Sequence, residues 1–195
     1  MATAIPSIAC IGLIGRKNNP LHISIFPSHN PQTNTFAPLR TPLQFSLLLS
    51  STLDIFELRT RQSATTNTGL SGEVGLLHAI DERLAAYGFE TNTGVKIVVV
   101  VDMRGRTVDA AVFADRKSLP AGGGAASAAA GYGLRETELR VVFRAVQSAY
   151  VRLTQNPFFE PDDVLKNTDK RIVSKRFDAD IRRIGENWTP GVTNL

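Results

Sequence analysis

The heptapeptide Lys96-Ile97-Val98-Val99-Val100-Val101-Asp102, KIVVVVD, decides the fold. Every residue between its charged ends is β-branched, which favours an extended strand. A strand with one wet face alternates apolar and polar side chains; this one does not. Both of its faces must be covered. It therefore belongs at the centre of a sheet, with a layer above and another below.

The neighbouring strands lie outward from it. Gly75–Asp81 and Leu84–Thr91 read as two strands, with Asp81-Glu82 beside Arg83 as a charged hairpin turn. Further upstream, Ile8–Ile14 and Leu21–Phe26 flank GRKNNP, whose turn formers make a second hairpin. Turns this short join antiparallel neighbours. Pro27–Arg40 shows no periodicity and reads as an exposed loop that carries His29, and Arg61–Gly72 reads as a polar loop. Arg104–Gly133 contains PAGGGAASAAAGYG, a Gly/Ala-rich insertion of low complexity.

Three helices complete the pattern. In TPLQFSLLLSSTLDIFELR, Thr41 is the N-cap, Pro42 the first helical residue, and Gln44 completes a capping box. Phe45, Leu48, Leu49, Thr52, Leu53 and Phe56 recur at the spacing of one core-facing stripe. Leu47, Ile55 and Leu58 lie off that stripe, beside Ser50, Ser51 and Asp54, so this helix carries more apolar surface than a core contact needs. From Leu134 a second helix aligns Leu139, Val142, Phe143, Val146, Tyr150 and Leu153, and Asn156-Pro157 ends it. The last helix, about Thr168 to Gly185, places Val173, Phe177, Ile181 and Ile184 on one side. Lys170, Arg171, Lys175, Arg176, Arg182 and Arg183 make it the most basic element, read as a solvated charged face.

The expected fold is α+β: a five-stranded antiparallel sheet in the order β-β-α-β-β-β-α-α, one helix on one face and two on the other. Residues 1–195 form a single domain, with loop insertions at about 27–41, 60–73 and 104–133. At 43% hydrophobic and 21% charged, the 195-residue chain can build one substantial core. The net charge of +4 comes without the dense basic block of a nucleic-acid binder.

Chemistry is sparse. The single cysteine, Cys10, sits in an apolar run and reads as a buried, reduced thiol of a cytoplasmic protein. His22, His29 and His78 have no local metal-ligand spacing. Gly12–Gly15 and the glycines after Ala121 lack the closing Gly-Lys-Ser/Thr of a phosphate loop. No catalytic, metal or cofactor residues are assigned, and the chain is expected not to be an enzyme. The N-terminal apolar run has no basic residue before it and is broken by Pro6, Gly12 and Gly15, so it reads as a strand rather than a signal peptide.

Asn156-Pro157-Phe158-Phe159 admits two readings: a displayed tripeptide ligand, or anchors that fix the crossing of the last two helices. Its place at the end of an amphipathic helix favours Phe158 and Phe159 as buried anchors.

The element order is that of the longin, or SNARE-like, domain. ACIGLIGRKNNPLHI, FSLLLSSTLDIFELR, GFETNTGVKIVVVVD, ELRVVFRAVQSAYVRLTQNPFFEP and IVSKRFDADIRRI together resemble the sedlin family of transport protein particle (TRAPP) subunits. The helix ending in Asn156-Pro157-Phe158-Phe159, where the family usually has Asn-Pro-Phe-Tyr, is the most specific word, and Thr52-Leu53-Asp54 is the next. The resemblance implies a non-catalytic adaptor that supports assembly of a vesicle-tethering complex with Rab guanine-nucleotide exchange activity, in ER–Golgi and late-Golgi traffic. It implies core subunits and a large accessory subunit as partners, with a Rab GTPase reached only indirectly and no nucleic acid. The chain would be cytoplasmic, peripheral on Golgi and ER–Golgi membranes only through the complex. Asp54, with Leu47, Ser51, Ile55 and Leu58 around it, is the implied partner contact. A longin-type regulatory module of a SNARE or coat protein outside TRAPP is the alternative. It would require a heptad segment and a membrane anchor, which the sequence ending in WTPGVTNL does not show.

Overall fold

The computed structural model describes residues 2–66, 75–109, 134, 136–159, 171–192 and 194–195. Strands β1 (Ala2–Ile14), β2 (Pro20–Ile25), β5 (Gly75–Ala79), β6 (Leu84–Glu90) and β7 (Lys96–Asp109) form one sheet in the order β2-β1-β7-β6-β5, with every neighbour antiparallel. Strand β7 lies at its centre, where KIVVVVD requires it. Ile97, Val99 and Val101 face one apolar cluster, and Val98 and Val100 face the other. All five are at most 1% exposed. On the neighbouring strand the pairing register shifts between Ile8 and Cys10, so Ala9 and Cys10 both join the second cluster while Ile8 and Ile11 join the first.

One face is covered by α1 (Pro42–Ser51) and α2 (Leu53–Thr66). The capping box at the start of α1 is present: the Gln44 amide donates to Thr41 Oγ1 at 3.3 Å, and the Thr41 amide donates to Gln44 Oε1 at 2.9 Å. The apolar spacing predicted one helix over this segment, yet it breaks at Thr52. Three consecutive hydroxyls account for the break. Ser50 Oγ donates to the Ser46 carbonyl, Ser51 Oγ to Leu48 and Thr52 Oγ1 to Leu49, and such back-bonding bends a helix. The bend lets Phe45, Leu48 and Leu49 of α1 and Phe56 of α2 all reach the sheet. Gly88 leaves room for that close approach, since a Cβ there would lie 2.5 Å from the Phe56 ring.

The other face is covered by α3 (Glu136–Thr154) and α4 (Lys175–Asn187). Leu139, Val142, Phe143, Val146 and Leu153 of α3 are buried, and so are Phe177, Ile181 and Ile184 of α4. Trp188, just past α4, is fully buried in the same cluster.

Four expectations are corrected. Residues 61–66 continue α2 rather than opening a loop. The segment after Phe26 contains a small hairpin, β3 (Ser28–Asn30) and β4 (Thr35–Ala37), and His29 within it is buried rather than exposed. Strand β7 runs on to Asp109 because it pairs with the start of β1, so residues 104–109 are strand and not insertion. The last helix starts at Lys175, capped by the Ser174 hydroxyl, which leaves Val173 outside it and 94% exposed. The Gly/Ala-rich stretch from residue 110 to 133 lies outside the described residues.

Candidate functional site

The surplus apolar residues of the first helical layer collect on its outer side. Leu47 is 63% exposed and Leu58 54% exposed, and both Ser51 and Asp54 are exposed between them. These four are spaced four, three and four residues apart, which is one face of a helix carried across the bend. The arrangement holds because Thr52 keeps right-handed helical angles and its carbonyl still accepts from the Phe56 amide at 3.2 Å. Leu43, four residues before Leu47 and 70% exposed, extends the stripe. Sequence reading passed over Leu43, although its spacing from Leu47 was the available signal. Ile55 belongs elsewhere: it is half-buried and packs against the core cluster under α1 and α2.

The polar groups of this face differ in availability. Ser51 already donates its hydroxyl to the Leu48 carbonyl at 2.8 Å, so its proton is committed. Asp54 sits in the first turn of α2, where the helix dipole favours a carboxylate. Among the described residues, no ion pair or hydrogen bond engages its side chain. A line of leucines that includes one unengaged carboxylate can bury apolar area against a partner while demanding a cation opposite.

Asn156-Pro157-Phe158-Phe159 closes α3 as local punctuation. The Asn156 side chain accepts from the Phe158 amide at 3.2 Å, and its carbonyl accepts from the Phe159 amide at 3.0 Å. The two phenylalanines then part. Phe159 is half-buried against the larger core cluster, whereas Phe158 is 93% exposed and anchors nothing. The reading of Phe158 as a buried anchor is thereby corrected. A cavity of about 420 Å³ beside this turn is lined by Arg152, Gln155 and Asn156 from the α3 side and by Ser174, Arg176 and Asp180 from the α4 side.

The other described residues offer little reactive chemistry. Cys10 is fully buried, and that burial pushes its thiol up to about 12, far from a reactive thiolate. No group of three or more His, Cys, Asp or Glu poised for a metal occurs among the described residues. Nor, among them, is any helix long and apolar enough to cross a membrane.

A family model described as sedlin matches residues 13–187. A trafficking protein particle complex subunit 2-like protein from Dictyostelium discoideum is 25% identical over 173 residues, covering 87% of this chain and 90% of its own length. Proteins of the same name from Bos taurus and Rattus norvegicus are each 25% identical over 174 residues, covering 87% of this chain and 91% of theirs. The family match therefore spans both helical layers and the sheet except for most of β1.

Proposed function

The chain belongs to the sedlin family, and from that membership we propose that it is a non-catalytic subunit of a trafficking protein particle complex, held there by the outer face of α1 and α2. The observation that carries this reading is the exposed line of Leu47, Ser51, Asp54 and Leu58, with Leu43 continuing it. A core-facing helix needs one apolar stripe, and here the inward stripe of Phe45, Leu48, Leu49 and Phe56 already supplies it. The outward leucines are left for a neighbour.

The docking mechanism follows from the arrangement. Apolar area removed from water contributes about 25 cal/mol for each Å². Asp54 becomes desolvated as the leucines are covered, so a partner lacking a facing cation is penalised. The leucines thus supply attraction and the carboxylate supplies selectivity. In this role the chain supports assembly of a complex that promotes nucleotide exchange on a Rab-type GTPase in ER–Golgi and late-Golgi traffic. It contacts core subunits and a large accessory subunit and makes no direct contact with the nucleotide. The names of its relatives and the match along most of its length support the reading.

Affinity purification of the tagged chain from native lysate, with mass spectrometry of the eluate, tests it. The expected result is co-elution of trafficking protein particle subunits with the wild type and their loss with Asp54→Tyr at unchanged melting temperature. A wild-type chain that elutes without such subunits overturns the assignment. Normal co-elution of Asp54→Tyr would instead move the contact away from α2.

A further inference from the structure

We propose that the end of the second helical layer, at the start of α4 and the turn after α3, docks directly on an anionic lipid bilayer. This goes beyond the subunit reading and is independent of it. On α4 the exposed cations outnumber the exposed acids. Its acids are only partly engaged: Asp178 lies 3.5 Å from His22 on β2 and Asp180 lies 3.6 Å from Arg152 on α3, while Asp178 and Glu186 stay exposed. Lys175, Arg176, Arg182 and Arg183 are all exposed, and among the described residues none of them makes an ion pair. Lys175, Arg182 and Arg183 line a shallow depression of about 390 Å³ together with Asp178, Ala179 and Glu186.

A second observation falls at the start of the same helix. Val173 and Phe158, at 94% and 93%, are the two most exposed large apolar side chains among the described residues. Val173 directly precedes the Ser174 cap, and Phe158 follows the Asn156 turn. Asn156 and Ser174 line one cavity with Arg176, so the turns that carry Phe158 and Val173 lie close to that cation. Arg171, also exposed, joins them.

Protruding apolar groups set among unpaired cations match a bilayer interface, where headgroup phosphates meet the cations and an aromatic ring settles at headgroup depth. The contrast with the α1–α2 face is informative. There, leucines flank an acid in a line that a protein surface can cover; here two isolated apolar side chains project near a helix face on which exposed cations outnumber exposed acids. Single-stranded nucleic acid would want a series of stacking rings, and among the described residues of this end only Phe158 is exposed.

Vesicle flotation with the full chain tests the proposal. Vesicles of phosphatidylcholine with about 30% phosphatidylserine should carry the protein up the gradient, while pure phosphatidylcholine should not. Each cation removed should weaken binding about fivefold. The quadruple variant Lys175→Ala, Arg176→Ala, Arg182→Ala, Arg183→Ala should therefore stay at the bottom, and Phe158→Ser should float less than the wild type. Raising salt from about 0.1 M to about 1 M on the wild type gives a readout that needs no variant, and it should release the protein. Failure of the wild type to bind anionic vesicles overturns the proposal. So does equal flotation of the quadruple variant, salt-insensitive binding, or binding to polyglutamate or a single-stranded oligonucleotide without binding to vesicles.

Discussion

Arg83 grips the fully buried Asp102 with two parallel hydrogen bonds, Nε to Oδ1 at 2.7 Å and Nη2 to Oδ2 at 2.8 Å. The pair joins neighbouring strands of the main sheet at the point where KIVVVVD ends. Arg83 Nη2 also donates to the His29 carbonyl, so the same guanidinium ties down the small β3–β4 hairpin. The Arg104 amide supplies Asp102 with a further donor at 3.0 Å. Such a site is costly to half-empty. Arg83→Met should lower stability by about 3–5 kcal/mol in urea unfolding, because it strands a buried carboxylate. Arg83→Met combined with Asp102→Leu should recover most of that loss. A double variant no better than the single one would show that the hairpin tether, and not the stranded charge, sets the cost.

Adjacent leucines of α1 should behave oppositely. Leu48 is 8% exposed and packs on the sheet, so Leu48→Ala should cost about 2–5 kcal/mol. Leu47 is 63% exposed, and Leu47→Ser should change stability by no more than about 0.5 kcal/mol. Parallel thermal melts of the isolated chain check both. If Leu47→Ser destabilises it as Leu48→Ala does, α1 has no free face and the docking surface disappears.

The core of this fold was legible because its signals are local. Five consecutive β-branched residues state that Ile97–Val101 is covered on both sides, and Thr41, Pro42 and Gln44 state where α1 begins. The outer stripe was legible by subtraction, as Leu47 and Leu58 fall outside the spacing the core requires. What escaped depends on distant partners or on competing hydrogen bonds. The β3–β4 hairpin pairs only three residues on each side and is held by Arg83, 54 positions from His29. The break at Thr52 comes from hydroxyls turned back on the helix, to which an apolar periodicity is blind. Phe158 and Phe159 are identical in sequence, and only the turn made by Asn156 sends one inward and the other out.

Gly185 sets two opposite expectations against each other. In an exposed helix interior, replacing glycine with alanine gains about 1 kcal/mol. Here α4 lies flat on Phe26, and a Cβ on Gly185 would come within 2.2 Å of that ring, which is itself only 4% exposed. The ring is packed in the larger cluster and has nowhere to swing. Overpacking therefore wins, and Gly185→Ala should lose about 1–3 kcal/mol. Phe26→Leu combined with Gly185→Ala should be less destabilised than the sum of the two single variants, since each relieves the other. Additive losses would show that the helix and the ring are not in contact.

Acid should weaken the second helical layer through His22. Its ring packs edge-on against Phe177 at 5.2 Å between centroids, and Nε2 lies 2.7 Å from Ser24 Oγ. Burial lowers the His22 pKa below its ordinary 6.5, and the nearby Asp178 carboxylate opposes that shift without cancelling it. The sign then follows from proton uptake. Below about pH 6.5 the unfolded chain binds a proton at this residue while the folded chain still resists it, so each step down in pH favours unfolding. Above that value both states are neutral there and the contribution is fully present; it is lost as pH falls toward the lowered folded value. Urea midpoints measured from about pH 7.5 down to about pH 5 should fall in the wild type and fall less in His22→Gln. Asp178→Asn removes the attraction that partly offsets burial, so its decline should be steeper than that of the wild type. A decline no steeper than that of the wild type in Asp178→Asn would mean that the carboxylate does not hold the ring's proton in the folded chain.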